Sequence, residues 1–285
     1  MRIPFRLVDV FTDRPLAGNQ LCVVPEPVDI PPELMQAIAR EIGFSETTFV
    51  TEAAGDRYSM RIFTPEAELP FAGHPTLGTA YVLVSEGKVR SPATQRVPAG
   101  EFAVEVDVAG GFARMRQLPA TFGPVVTDRA AVAASVGLEE DGLRPDLAPQ
   151  IVSTGFPHLM AAARDEDAVA RAIPDPRRLA PLLAPLGTDA VYLFSVSGDR
   201  AKARLFWVGT GISEDAATGS AAGPLGAYLA QAGLAGPGRL TVSQGQEMGR
   251  PSTLIVDVEP EEGAWRVFVQ GGVVRVGEGH FDLSA

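Results

Sequence analysis

Two short segments of the chain each place a glycine and a hydrogen-bonding side chain immediately before an apolar run. They are 69–76, which contains Gly73 and His74, and 213–220, which contains Gly219 and Ser220. If a helix begins at each glycine, its unpaired N–H groups and partial positive charge could hold a substrate carboxylate, or the charge that develops during proton removal. Ordinary helix capping, by Ser220 or Thr218, is the alternative.

Proton chemistry also needs a base, and Glu46 in the segment 45–49 is the first candidate. A glutamate whose pKa is raised towards neutrality by partial burial could take a proton from carbon. A solvated glutamate in front of a strand is the alternative. His74 is expected to stay neutral, because a helix start disfavours a cation, and could hydrogen-bond a substrate carbonyl or amine or simply cap the helix. Asp215 could relay the proton, position an amino group, or be a turn residue.

The elements that would position these residues alternate between strand-like and helix-like patterns. Strands are predicted at 5–10, 19–24, 47–51 and 58–63, and more strands follow residue 85 up to about 118. In the second half strands are predicted at 190–196, at 202–208 and from 240 to the C-terminus. Helices are predicted at 31–42, 75–85, 130–136, 177–186 and 220–232. Segments 75–85 and 220–232 are apolar on nearly every side, which is typical of buried helices.

The second half of the chain repeats part of the first. Residues 42–50 align with 186–194, 61–63 with 204–206 and, more loosely, 77–81 with 225–228. We therefore predict two similar halves with a small-ligand site in the cleft between them. Chance similarity of apolar runs is the alternative. The predicted division is 1–122, joined by the C-terminal strand 273–285, and 123–272. Because Glu46 aligns with Ala190, the repeat keeps a carboxylate on one side only.

The composition narrows the classes of function. The chain has 285 residues and a net charge of −11, which argues against a nucleic acid or an anionic membrane as partner. The single cysteine, Cys22, cannot form an intrachain disulfide, and the three histidines are far apart in sequence, which argues against a zinc site. No apolar stretch is typical of a signal peptide or a membrane span, so a cytoplasmic protein is expected.

An ordered set of short motifs resembles the PhzF-like isomerase family, named for phenazine biosynthesis. The set consists of Gly18-Asn19 and the segments 45–49, 71–76, 214–220 and 244–252. The resemblance implies a mixed α/β fold of the diaminopimelate epimerase type, with two pseudo-symmetric halves that each wrap a sheet around a central helix. It also implies an isomerase that needs no cofactor, acts on a small carboxylate and is often a homodimer. By the family pattern Glu46 is the catalytic proton shuttle, and the substrate-binding positions are Asn19, Gly73, His74, Asp215, Gly219 and Ser220.

The same superfamily contains racemases that use two cysteines, one at each helix start. When this chain is aligned with that pattern, the two cysteine positions are occupied by Ala72 and Ala216. Cys22 lies in neither segment, so racemisation by two thiols is excluded. A lone carboxylate would instead take a proton and return it to another carbon on the same face. Two alternatives stay open: an epimerase or racemase that uses Glu46 and Asp215 as opposed bases, and a small-molecule-binding relative without activity.

Overall fold

The structure, a computed structural model, describes residues 1–27, 29–209, 213–234 and 238–283. The chain divides into two units, Met1–Arg116 with Gln270–Ala285, and Gln117–Val269. Residues 284–285, the end of the predicted C-terminal strand, lie outside the described residues. Each unit is a mixed α/β structure with an apolar helix at its centre.

The first unit contains eight strands and two helices before the chain leaves it. They are β1 (Arg2–Val10), β2 (Asn19–Val24), α1 (Pro32–Ile42), β3 (Glu46–Ala54), β4 (Arg57–Phe63), β5 (Glu68–Leu69), α2 (Gly73–Ser85), β6 (Ala93–Val97), β7 (Gly100–Asp107) and β8 (Phe112–Arg116). Helix α2 packs against β1, β2, β3, β6, β7 and β8, and most of its side chains are buried. Its apolar character on nearly every side is therefore explained by sheet on all of these sides.

The second unit contains the remaining helices. Its elements are β9 (Thr121–Val125), α3 (Arg129–Ser135), β10 (Gln150–Ser153), β11 (Pro157–Ala162), α4 (Glu166–Arg171), α5 (Pro176–Leu183), β12 (Ala190–Ser197), β13 (Arg200–Trp207), β14 (Glu214–Asp215), α6 (Gly219–Gln231), β15 (Gly238–Gln244), β16 (Ser252–Glu261) and the start of β17 (Ala264–Asp282). Short 3-10 turns lie at Glu140–Gly142 and Ala184–Leu186. Helix α6 is the buried counterpart of α2 and packs against β10, β11 and β16.

The two units share one pattern of strand pairing. In the first, β2 is parallel to β3, β3 antiparallel to β4, and β4 parallel to β6. In the second, β11 is parallel to β12, β12 antiparallel to β13, and β13 parallel to β15. Gly43 and Gly187, matched in the repeat, both adopt the left-handed conformation just before β3 and β12. The predicted repeat is thus present in the structure, and Glu46 and Ala190 are both the first residue of the matched strand.

The predicted elements are present with small shifts of their ends, but several elements of the second unit were missed. Helix α2 begins two residues before the predicted Pro75, and α5 ends at Leu183 rather than at 186. Strands β9, β10 and β11 and helix α4 were not predicted, because each has only four to six residues, too few for a clear periodic pattern. No helix in the described ranges has the length and apolar character needed to cross a bilayer.

The boundaries between the two units lie at residues other than those predicted from the sequence. The first unit ends at 116 rather than 122, because the backbone N–H of Gln117 donates to the carbonyl of Val267 (2.9 Å) and β9 pairs with β10. The C-terminal segment rejoins the first unit at 270 rather than 273, because the carbonyl of Gly272 accepts from the backbone of Phe11 (2.7 Å).

Candidate active site

Glu46 is buried at the first position of β3. The strand runs parallel to β2, where Leu21 is its register partner, and only 5% of the residue surface is exposed. Burial raises the pKa of the carboxyl group to about 7, and a hydrogen bond from Ser45 opposes this rise. Within the described residues, Oε2 of Glu46 has no hydrogen-bond partner. The carboxyl group is therefore desolvated, half ionised near neutral pH, and has an oxygen that is not used by the fold.

His74 is the side chain that lies beside this oxygen. Its Nε2 is 3.4 Å from Oε2 of Glu46 and 3.2 Å from the carbonyl oxygen of Gln20. Its Nδ1 is 3.2 Å from Nδ2 of Asn19, the first residue of β2. The hydroxyl of Ser45 donates to Oδ1 of the same asparagine (3.3 Å). Asn19, Ser45, Glu46 and His74 therefore form one cluster within the first unit.

Strand β2 places Asn19 through the turn that precedes it. Gly18 has φ +67°, and a side chain on it would bring Cβ to 2.4 Å from the carbonyl oxygen of Val10. Only glycine fits here, because the conformation is left-handed and the space is closed. Asn19 pairs with Val10 on β1 immediately afterwards, so its side chain is held at a defined place beside α2.

Both central helices begin at the glycines that the sequence singled out. Helix α2 starts at Gly73 after Ala72, and α6 starts at Gly219 after Thr218. Among the described residues, neither start has a hydrogen bond from the side chain at the capping position, which contradicts the alternative of capping by Thr218. Ser220 is half-buried in the first turn of α6.

Asp215 lies in a buried network of the second unit. Its Oδ2 accepts from the hydroxyl of Thr218 (2.6 Å), and its backbone carbonyl accepts from Nε2 of Gln244 (2.9 Å). The hydroxyl of Tyr192 donates to Oε1 of Gln244 (2.9 Å). Asp215 is therefore part of an ordered hydrogen-bond network and not an exposed turn residue. Gln244 belongs to the motif 244–252 and is fully buried at the end of β15.

The structure thus brings the predicted site residues together as two sets, one per unit. The first unit holds Asn19, Glu46, Gly73 and His74, and the second holds Asp215, Gly219 and Ser220. Sequence reasoning missed the supporting side chains Ser45, Gln117 and Tyr192. Gln117 donates to the carbonyl of Gly219 (2.9 Å) and so anchors the first residue of α6. No group of three or more metal-binding side chains occurs within the described ranges.

The fold agrees with comparisons to known proteins. The phenazine biosynthesis-like protein family (PhzC-PhzF) matches residues 8–279. The chain belongs to this family. It is 35% identical over 277 residues to the trans-2,3-dihydro-3-hydroxyanthranilate isomerase of Pseudomonas fluorescens, and the match covers 96% of this chain and 97% of that one. The predicted family and the prediction of an isomerase are therefore confirmed.

Solved structures of the PhzC-PhzF family and its superfamily share the fold. The phenazine biosynthesis protein of the PhzF family from Bacillus anthracis superposes with a TM-score of 0.89 at 28% identity, over 99% of this chain and 100% of that one. A probable proline racemase from Agrobacterium radiobacter has the same fold, with a TM-score of 0.69 at 14% identity over 99% and 93% of the chains. The predicted fold class is confirmed.

The observed helix starts correct which residue of the second unit matches the second cysteine of two-thiol racemases. Ala72 directly precedes Gly73, and the residue that directly precedes Gly219 is Thr218, not Ala216. The position matched to Ala72 is therefore Thr218, because the first residue of each helix sets the register. Neither side chain is a thiol, so the exclusion of two-thiol chemistry in this PhzC-PhzF member holds. Cys22 is buried in β2, and burial raises the pKa of its thiol to about 12.

Proposed function

We propose that this chain is a cofactor-independent isomerase in which Glu46 removes a proton from one carbon of a small carboxylate and returns it to another. The observation that carries the proposal is the carboxyl group of Glu46, buried, with a pKa of about 7 and with Oε2 unbonded. An acid–base catalyst works best with a pKa near the working pH. An oxygen without a partner in the fold is available for a substrate proton.

The proposed reaction is a proton shift along a conjugated system. The carboxylate of Glu46 takes a proton from a C–H carbon, and the electron pair of that bond forms a new double bond to the neighbouring carbon. The π pair of the existing double bond moves to its far carbon, which takes the proton back from the protonated Glu46. Ala190 occupies the matched position of the repeat and cannot carry a proton, which favours transfer on one face. His74, with Nε2 close to Glu46, supports the proposal as a donor to a substrate oxygen or amine.

The proposed substrate class is a small unsaturated or amino carboxylate. The relative from Pseudomonas fluorescens is named for a dihydro-hydroxyanthranilate, which belongs to this class. Further relatives are named only as uncharacterised isomerases, so we propose the class and not one compound. The binding roles of Gly73, Asp215, Gly219 and Ser220, the homodimer and the cytoplasmic location stay predictions.

Glu46→Gln tests the proposed base. We expect turnover to fall by about 10²–10⁴-fold, because the amide cannot accept a proton, while substrate affinity changes little. The assay incubates the enzyme with a panel of unsaturated and amino carboxylates, including trans-2,3-dihydro-3-hydroxyanthranilate, in D₂O and follows product and deuterium by mass spectrometry. Glu41→Gln, at an exposed position of α1, is the matched control.

The same assay separates the competing functions. Full activity in Glu46→Gln would show that another group is the base. Deuterium incorporation with loss of configuration at a single carbon would indicate opposed bases and an epimerase. Tight binding of a panel member by the unaltered protein, without any proton exchange, would indicate a binding protein.

A further inference from the structure

The protonation state of His74 can be derived from the groups that face its two ring nitrogens. The carbonyl oxygen of Gln20, 3.2 Å from Nε2, can only accept, so Nε2 carries a hydrogen. The group that faces Nδ1 at 3.2 Å is the amide nitrogen of Asn19, which can only donate. Nδ1 is therefore the unprotonated nitrogen, and the ring is neutral.

The orientation of the Asn19 amide has independent support. Its Oδ1 is 3.3 Å from the hydroxyl of Ser45, whose single hydrogen is shared between this oxygen and the Glu46 carboxyl group. Exchange of the amide oxygen and nitrogen would put Oδ1 against Nδ1 and require a hydrogen there as well, which would make His74 a cation. His74 is the second residue of α2, and the positive end of a helix disfavours a cation. Both arguments select the same amide orientation.

The charge on His74 matters because Glu46 lies next to it. A cation at 3.4 Å would favour the ionised carboxylate and weaken it as a base for a carbon-bound proton. A neutral ring, whose Nε2 hydrogen is donated to the carbonyl oxygen of Gln20, leaves the pKa of the Glu46 carboxyl group governed by burial. The identity of the residue at position 19 therefore affects how basic Glu46 is.

We propose that Asn19 is a positioning residue, which holds His74 as the neutral tautomer with hydrogen on Nε2. The inference deepens the proposed function and rests on it for its catalytic consequence, although the tautomer can be measured without any substrate. The predicted role of Asn19 in substrate binding stays a prediction beside it. Asn19 is buried at the start of β2 and contacts the imidazole itself.

Nitrogen NMR shifts of isotope-labelled histidine test the tautomer in the unaltered protein. We expect Nδ1 of His74 to have the shift of an unprotonated nitrogen and Nε2 that of a protonated one. His158 is an internal reference of opposite type, because its Nδ1 lies 3.0 Å from the carbonyl oxygen of Phe156 and must donate. The chain has three histidines, so His74→Gln and His280→Gln assign the spectrum. A protonated Nδ1 of His74 in the unaltered protein would overturn the proposal.

Asn19→Asp tests whether Asn19 sets this state. The aspartate has nearly the same shape but can only accept, so Nδ1 of His74 should become protonated while the His158 signals stay unchanged. We expect kcat to fall by about 10–100-fold, the range known for partners that orient metal-binding imidazoles, with a much smaller change in KM. If Nδ1 stays unprotonated in this variant, Asn19 does not set the tautomer and the proposal is wrong.

Ser45→Ala provides a second test that does not depend on the folding of Asn19→Asp. It leaves Asn19 in place and removes the donor that orients its amide, so we expect a partial shift of Nδ1 towards the protonated signal. An unchanged spectrum would contradict the argument from Ser45. If the spectra behave as expected but Glu46→Gln keeps full activity, the proposed function fails and the tautomer assignment stands.

Discussion

At the scale of single residues, the buried carboxyl group of Glu46 opposes the stability of the fold when it is ionised. The folded state raises the pKa of its carboxyl group from 4.5 to about 7 by burial. The folded protein therefore binds a proton more tightly than the unfolded chain does. Below pH 4.5 the group is protonated in both states, and as the pH rises through 7 the folded state must accept a buried charge, which lowers the free energy of unfolding.

The pH dependence of stability follows from this sign. Glu46→Gln lacks the buried charge, so its free energy of unfolding relative to the unaltered protein should rise between pH 4.5 and 7, by about 3 kcal/mol in all. Urea unfolding of both proteins below and above this window measures the difference. Glu41→Gln, on the exposed side of α1, should show no comparable rise. A constant difference between Glu46→Gln and the unaltered protein would contradict the raised pKa.

At the scale of elements, each unit holds the segment before its central helix with an arginine and a glutamate. In the first unit Arg61 on β4 binds both carboxylate oxygens of Glu68 on β5 (2.7 and 2.6 Å). In the second, Arg204 on β13 binds Glu214 on β14 in the same way (2.7 and 2.8 Å). The helix begins four residues after the short strand in both units, so the ion pair fixes the approach to Gly73 or Gly219.

The two ion pairs differ in what surrounds the arginine. Nη1 of Arg204 also donates to the carbonyls of Val169, Ala170 and Ala172 at the end of α4, and the arginine is buried. The side chain of Arg61 is 29% exposed. Removal of Arg204 would leave three carbonyls and a carboxylate with fewer donors, whereas removal of Arg61 leaves groups that water can reach.

A pair of matched substitutions compares these sites. Arg204→Met should lower the free energy of unfolding by about 3–5 kcal/mol, because it breaks a buried ion pair and leaves the remaining charge without its partner. Arg61→Met should cost about 0–1 kcal/mol, as for other solvent-accessible ion pairs. Denaturant unfolding of both variants measures the two values. Equal losses would show that burial of Arg204 does not control its contribution.

At the scale of the whole molecule, the chain repeats one topology in two units and then returns to the first. The final strand, β17, begins in the second unit, and its last part pairs antiparallel with β1 from Val273 opposite Val10 to Asp282 opposite Arg2. The C-terminal residues are therefore part of the sheet of the first unit. The sheet of that unit can be complete only after residues 273–282 have been made.

A truncation tests this order. A chain that ends at residue 269 lacks the strand that pairs with β1, so backbone amides of 2–10 and neighbouring strands should lose protection in hydrogen-exchange mass spectrometry. Amides of 117–269 should lose much less, because the pairings described above for that unit remain. Removal of 284–285 alone is the control, since it leaves the β1–β17 register intact. Unchanged protection of β1 in the truncated chain would contradict the assignment.

The sequence by itself determined most elements, the repeat and the asymmetry between Glu46 and Ala190. The elements depend on local periodicity and on glycines such as Gly43 and Gly187. The repeat and the asymmetry follow from comparing the residue types at aligned positions of the two halves. The two central helices could be predicted as buried, because a helix with small and apolar residues on nearly every side is typical of a protein interior. The short ordered motifs were likewise sufficient for the family.

Only the tertiary structure decided the environment of the candidate site. The raised pKa of Glu46 depends on burial, and the groups that face the ring nitrogens of His74 belong to Asn19 and Gln20, on a strand far away in the chain. The match of Ala72 to Thr218 required the observed helix starts. Burial and hydrogen-bond partners depend on which distant segments pack together. A local sequence pattern does not encode that tertiary packing.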